Sequence, residues 1–298
     1  MNYRSLKKTN FKISEISFGC MSISADNSEN IALLQRAFDA GITLFDTADL
    51  YDQGENERIV GRAFAGIRQQ VILATKVGNQ WRTDGSGWDW NPTKAYILQA
   101  ADESLKRLQT DYIDLYQLHG GTLDDPIDET IEAFEVLKQQ GKIREYGISS
   151  IRPSVIREWT IRSNMVTVMM QYSLLDRRPE ESCLELLQQN DIGVLTRGSL
   201  AKGMLVNKPA VPYLTYSADQ VKTAAQAVAA TSTANRSATA TAIQFALYQP
   251  AVASAVVGIR TDSQLVEAVA SNNSPALSQA EWEYLNEAIP VNYYNQHR

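Results

Sequence analysis

Two histidines and two cysteines are the chain's whole supply of imidazole and thiol. Cys20 and Cys183 are too few for a disulfide framework, so a reducing compartment is expected and the predicted location is cytoplasmic. His119 and His297 show no ligand spacing, which makes a metal-assisted hydrolase a poor fit and predicts no metal site. A basic excess is also lacking: 28 Lys and Arg against 34 Asp and Glu leave a formal charge of -6. No surface is therefore expected to neutralise a nucleic-acid backbone. No apolar run approaches the ~20 residues that span a bilayer, so no membrane is expected as a partner. The opening MNYRSLKKTN has no apolar core of a secretory signal. No G-x-G-x-x-G follows a strand-like run; GSGWDW at 85–90 starts like one but lacks its last glycine and a preceding strand. No linker-like stretch interrupts the chain, and residues 1–298 are expected to form a single domain.

What is present is alternation. Short, nearly continuous apolar runs lie at 15–19, 42–46, 71–77, 112–119, 143–149, 166–172, 192–198 and 253–259. Such runs suit parallel strands covered on both faces. Helical patterns lie between them. Asn91-Pro92 is expected to open a helix with Ile97, Ala101, Leu105 and Leu108 on one face. Asp125-Pro126 is expected to open the next, which leaves at Gly141. Ser28 precedes a third, with Ile31, Leu34 and Phe38 inward and Gly41 at its end. Residues 218–249 read as an irregular loop and more than one helix, and SQAEWEYLNEAI as a final helix. Eight strand-helix pairs predict a (β/α)8 TIM barrel, an α/β fold, with YRSLKKTNFKIS as a hairpin closing its bottom. An open doubly wound sheet is the alternative.

In such a barrel the carboxyl ends of the strands share one mouth. Asp46 ends the second strand, Lys76 lies late in the third, His119 ends the fourth, and Tyr51 follows the second. Adjacent strands run ~4.8 Å apart, so these side chains can touch. A desolvated lysine drifts towards neutrality, and a carboxylate beside it opposes that drift. An ammonium beside a phenol stabilises phenolate and makes the phenol a better acid. Each residue has a bland reading: Asp46 as a turn cap, Tyr51 as packing, Lys76 as an edge residue, His119 as a structural imidazole. Their joint placement favours a site that protonates a carbonyl oxygen.

The blocks FDTADLYDQGENERIVGRAF, ILATKVG, TDYIDLYQLHG, GKIREYGISS, MMQYSLLDRR and AVVGIRTDSQLVEA occur in order along nearly the whole chain. In them the chain resembles the aldo-keto reductases, most closely their bacterial NADP-dependent branch. The resemblance implies reduction of small aldehydes or ketones with NADPH, and a tetrad of Tyr51, Asp46, Lys76 and His119 with Tyr51 as general acid. It implies that Gly19, Cys20 and Met21 lie near the nicotinamide, although Cys20 also suits a small buried position. Ser149, Ser150 and Gln171 fall where the family holds the nicotinamide amide, with Ser150 in place of an asparagine. Arg197 takes the place of a stacking aromatic, and Gly198, Ser199, Leu200 and Lys202 line the pyrophosphate. Gly258, Ile259, Arg260, Thr261, Gln264 and Glu267 match the site for the adenosine 2'-phosphate, with Arg260 as its strong partner. Asp52 stands where relatives commonly have glycine. Trp81, Trp88 and Trp90 in the loop after the third strand read either as an apolar wall of the mouth or as loop packing. A monomer or small homo-oligomer is expected. The competing reading is an NADPH-binding regulatory subunit with little turnover, which the complete tetrad disfavours.

Overall fold

Strands that are apolar on both faces need cover inside and out, and the chain provides it by closing its sheet. In a computed structural model, which describes residues 1–24 and 29–298, a hairpin of β1 (Tyr3–Ser5) and β2 (Lys12–Ser14) comes first. β3 (Ile16–Gly19), β4 (Leu44–Asp46) and β5 (Ile72–Val77) follow. A second hairpin, β6 (Asn79–Trp81) with β7 (Trp88–Trp90), precedes β8 (Ile113–Leu118) and β9 (Ile143–Ser149). The last strands are β10 (Thr167–Gln171), β11 (Gly193–Arg197) and β12 (Val252–Gly258). Strands β3, β4, β5 and β8 to β12 pair in parallel around a closed barrel, in which β12 bonds β3 and β9 bonds β10. The expected barrel is therefore present, and the open sheet is excluded.

The helices are α1 (Asn30–Asp39), α2 (Glu55–Phe64), α3 (Lys94–Leu108), α4 (Ile127–Gln139) and α5 (Pro153–Arg162). They continue with α6 (Cys183–Gln189), α7 (Ala218–Thr231), α8 (Ala238–Leu247), α9 (Asp262–Asn273) and α10 (Gln279–Glu287). Their apolar faces and the outer faces of the strands share one large core, in which Phe134 contacts the rings of Tyr116, Tyr146 and Trp159. Among the described residues no helix is long and apolar enough to cross a membrane.

Several helix starts differ from the sequence expectation. Thr93, not Asn91, caps α3: its hydroxyl accepts from the Tyr96 amide, while Asn91 Oδ1 accepts from the Thr93 hydroxyl at 2.7 Å. Asp125 does not cap α4 either, because its carboxylate accepts from Thr122 and from Trp90 Nε1. A cap at Ser28 lies outside the described residues. The irregular stretch lies before Ala218 rather than after it, since Ser217 and Gln220 form a capping box that starts α7 at once. Gly141 ends α4 as expected, at φ +72°, a conformation that costs glycine little.

The inside of the barrel is a separate core. Leu6 and Ile13 of the first hairpin pack against Leu44, Ala74, Leu115, Met169 and Leu195, closing the amino-terminal end. Side chains alternate along a strand, so residues two positions further on form the next interior layer. That layer is polar: Asp46, Lys76, Gln117, Gln171 and Arg197. The apolar plug below and the polar layer above place all the interior's charge at one end.

Candidate active site

The polar layer is connected. Lys76 on β5 is 1% exposed, and its Nζ donates to Asp46 Oδ2 on β4 at 2.6 Å and to the Thr47 carbonyl at 2.7 Å. The third acceptor within reach is the Tyr51 hydroxyl at 3.4 Å. His119 follows β8, and its ring meets the Tyr51 ring edge-on, with centroids 5.9 Å apart. The structure thus brings together the four side chains singled out from the sequence.

Local structure explains how Tyr51 reaches its neighbours. After β4 the chain keeps bonding to β5, with the Thr47 amide donating to the Ala74 carbonyl and the Asp49 amide to that of Lys76. A tight turn with left-handed backbone, Tyr51–Gly54, then reverses the chain into α2. Asp52, Gln53 and Gly54 all have positive φ, a conformation that glycine adopts at the least cost. Glycine suits position 54: at φ +88° a Cβ there would be strained and would lie 2.6 Å from Arg107 Cδ. Asn56 fixes the approach, accepting from the Thr47 hydroxyl and donating to the carbonyls of Cys20 and Ile23.

Electrostatics divide the roles. Burial, the largest single influence, pulls the Lys76 ammonium towards neutrality, but the Asp46 carboxylate and the Tyr51 hydroxyl together outweigh it, and the net direction is up. Lys76 stays an ammonium. Burial raises Asp46 above its ordinary range, and Lys76 is the chief opposing influence. His119 falls to about 3, first through burial and then through the charges of Lys76 and Arg197. The imidazole is therefore neutral at ordinary pH, and its buried Nδ1 has no hydrogen-bond partner among the described residues. A depressed histidine has a defined signature. The unfolded chain binds this proton below about 6.5 and the folded chain only below about 3, so stability falls with acidity inside that window. His119→Gln is expected to flatten that window by up to about 1.4 kcal/mol per pH unit, read from urea midpoints.

One participant is missing from the sequence reading. Gln117, fully buried, donates through Nε2 to Asp46 Oδ1 at 3.4 Å and leaves Oε1 unpartnered. The available signal was its place two residues before His119, on the same face of β8. Gln117→Leu is expected to remove this support from Asp46. Turnover should fall about tenfold at unchanged KM, with about 1–3 kcal/mol lost from unfolding free energy.

The remaining sequence candidates ring the same end of the barrel. Gln171, with its amide oriented to satisfy both neighbours, donates to Asp176 and accepts from Arg197 at 3.1 Å. Ser149 and Ser150 are buried at the end of β9, and Ser199 is buried beside Thr196. Gly19 ends β3 beside Gly258 and Asp46. Cys20 is fully buried and its thiol is pushed well up by burial, whereas Met21 is exposed. Gly198 and Lys202 have positive φ, and Leu200 leads into the turn Ala201–Gly203. Gly258 is exposed, Ile259 buried and Arg260 exposed, and Thr261 caps α9. Gln264 accepts from the Arg260 amide at 2.8 Å, and Glu267 accepts from Thr239 on α8, so both already have protein partners. Arg197, Lys202 and Arg260 form no salt bridge among the described residues. Of the tryptophans, Trp90 packs on Gly78 and Gly120 and donates to Asp125, and Trp81 donates to the Leu50 carbonyl. Both therefore serve loop packing, while Trp88 is exposed.

Comparison with known proteins agrees with this architecture. The sequence pattern described as "Aldo/keto reductase family" matches residues 15–290. The uncharacterized oxidoreductase YqkF of Bacillus subtilis (strain 168) is 47% identical over 307 residues, covering 100% of both chains. The aldo-keto reductase yakc [NADP(+)] of Schizosaccharomyces pombe is 33% identical across 69% of this chain and 63% of its own. Among solved structures, aldo-keto reductase AKR11C1 from Bacillus halodurans in its holo form superposes with a TM-score of 0.94. It is 46% identical, over 100% of this chain and 99% of that one. With its match over most of the sequence and a fold shared along the full length, the chain belongs to the aldo/keto reductase family.

Proposed function

We propose that the protein is a cytoplasmic, NADPH-dependent carbonyl reductase that converts small aldehydes or ketones to alcohols, built as one domain over residues 1–298. The observation that carries this reading is the Lys76 ammonium shared between the Asp46 carboxylate and the Tyr51 hydroxyl. In it Tyr51 is the general acid: its hydroxyl proton goes to the carbonyl oxygen as that oxygen gains charge. The ammonium of Lys76 stabilises the phenolate left behind, and Asp46 keeps that ammonium charged inside the barrel. Neutral His119 donates a hydrogen bond to the same oxygen and orients the carbonyl. It has no imidazolium proton to give at neutral pH, because the ring protonates only near about 3.

A nicotinamide dinucleotide fits the residues present. The cations Arg197, Lys202 and Arg260 form no salt bridge among the described residues, and the buried Ser149 and Ser150 and the half-buried Gln171 supply further polar groups. When bound, a reduced nicotinamide supplies the hydride for the carbonyl carbon. Arg260, exposed and without a salt bridge among the described residues, is the residue that holds the 2'-phosphate. The NADP(+) in the printed name of the S. pombe relative supports the same preference. Arg260→Ala is expected to weaken NADPH binding about 10- to 100-fold and NADH binding less than about threefold. Equal losses for both would remove the 2'-phosphate role. The reading as a whole is tested by following NADPH absorbance with a panel of aldehydes, nitrobenzaldehyde among them. Saturable, aldehyde-dependent oxidation is expected, and binding of NADPH without turnover would favour a regulatory subunit.

A further inference from the structure

Behind the turn that carries Tyr51, between β6 and α3, lies a cavity of about 300 Å³. None of Asp46, Tyr51, Lys76 or His119 lines it. Asp49 does, at 7% exposure, and its buried Oδ1 has no hydrogen-bond partner among the described residues. The only cation in the lining, Arg107, is already committed: its Nε donates to Glu57 at 2.6 Å and its Nη2 to Ser104 at 3.0 Å. Glu103, ion-paired with Lys106 at 2.8 Å, adds a second acid, Trp81 and Tyr96 add aromatic walls, and the amides of Gln53, Asn79, Gln80 and Gln99 complete the polar lining.

The lining's one cation is spent on Glu57, and the carboxyl of Asp49 forms no salt bridge among the described residues. An anion there would meet Asp49 and Glu103. A metal ion is disfavoured because no group of three or more His, Cys, Asp or Glu able to hold one occurs among the described residues. Carboxylates combined with aromatic surface match a positively charged organic group, which gains both charge pairing and cation-π attraction. We infer that this cavity is a second ligand site, taking a small organic cation with an alkylammonium or guanidinium head that pairs with Asp49.

Proton linkage follows from the groups around Asp49. Burial, then the charge of Glu57, pushes its carboxyl well above the ordinary carboxylate range, while Arg107, the Leu50 amide and Lys76 act against this. The hydroxyls of Tyr96 and Tyr116 also face the Asp49 charge, and Glu103 lines the same cavity. A bound cation favours the carboxylate, so the Asp49 proton leaves to solvent as the ligand enters. The site also touches the reaction machinery. The Asp49 amide donates to the Lys76 carbonyl at 3.3 Å, Trp81 Nε1 donates to the Leu50 carbonyl, and Asp49 and Gln53 flank Tyr51. Occupancy therefore bears on Tyr51, and this regulatory consequence rests on the function proposed above, whereas binding does not.

The test is calorimetric titration of the full chain with agmatine, repeated in buffers of different ionisation enthalpy. Expected are saturable binding near one equivalent and net proton release. Asp49→Asn should weaken binding at least about tenfold, as loss of a charged partner does. Glu103→Gln, an exposed change that tolerates folding, should weaken it about threefold. Agmatine should also change turnover by about threefold or more without raising the KM of aldehyde or cofactor. Absence of binding, equal affinity for Asp49→Asn, or reproduction of the effect by potassium chloride at matched ionic strength would overturn the site. Should Asp49→Asn fail to fold, unchanged agmatine affinity in Glu103→Gln would do so. A protein that binds agmatine but reduces no aldehyde would keep the site and remove the carbonyl-reductase reading.

Discussion

Replacing Tyr51 by Phe is expected to lower turnover with a small aldehyde by about 10²- to 10⁴-fold, the usual share of a positioned general acid. The hydroxyl's hydrogen-bond partner is Lys76 at 3.4 Å, and the ring contacts with His119 and Lys76 survive the change. Stability should therefore move by less than about 1 kcal/mol. Cofactor affinity, measured by quenching of protein fluorescence, should stay within about threefold. The combination matters more than either number. A large loss of rate with fold and cofactor affinity preserved isolates proton donation, whereas a parallel loss of cofactor affinity would make Tyr51 a binding residue.

Lys76→Met carries the second large effect, and it acts on two levels at once. Turnover should fall at least about 10²-fold, because the phenolate loses its stabilising charge. The fold should also suffer by about 3–5 kcal/mol, since Asp46 is left buried without its cation. The sign of the pH dependence is specific. Without Lys76 the Asp46 carboxyl is raised further in the folded state, so protonation relieves the penalty and stability is lost as pH rises through the folded value. The deficit against the parent protein should widen as pH rises above the ordinary carboxylate range in urea titrations. Adding Asp46→Asn should restore much of the stability and none of the turnover. A double variant as unstable as Lys76→Met would show that the loss arises from packing rather than from the orphaned charge.

The barrel could be read from the chain because parallel strands are covered on both faces and leave short apolar runs that helices separate. Asp46, Lys76 and His119 stood out because they interrupt or end such runs, where a charge or an imidazole conflicts with burial unless it has partners. Gln117 hid inside one of these runs. A neutral amide in DLYQLH disturbs the apolar pattern little, and only alternation with His119 places it inside the barrel. The β6–β7 hairpin also escaped, since each of its strands is three residues long and mostly outward-facing. Asn91 and Asp125 have the chemistry of helix caps, but each side chain found a nearer partner in its own loop. The burial of Asp49 was invisible for another reason: it sits in the polar segment TADLYDQG, which has no periodicity from which an inward face can be inferred.

The most direct test of the site is a crystal structure of the protein with NADP+ and an unreactive carbonyl or carboxylate analogue of the substrate. One ligand oxygen should lie within about 3 Å of both the Tyr51 hydroxyl and a His119 ring nitrogen, with Lys76 still bridging Asp46 and Tyr51. An analogue bound productively against the nicotinamide with its oxygen held by other groups, and Tyr51 out of hydrogen-bond reach, would contradict the assignment.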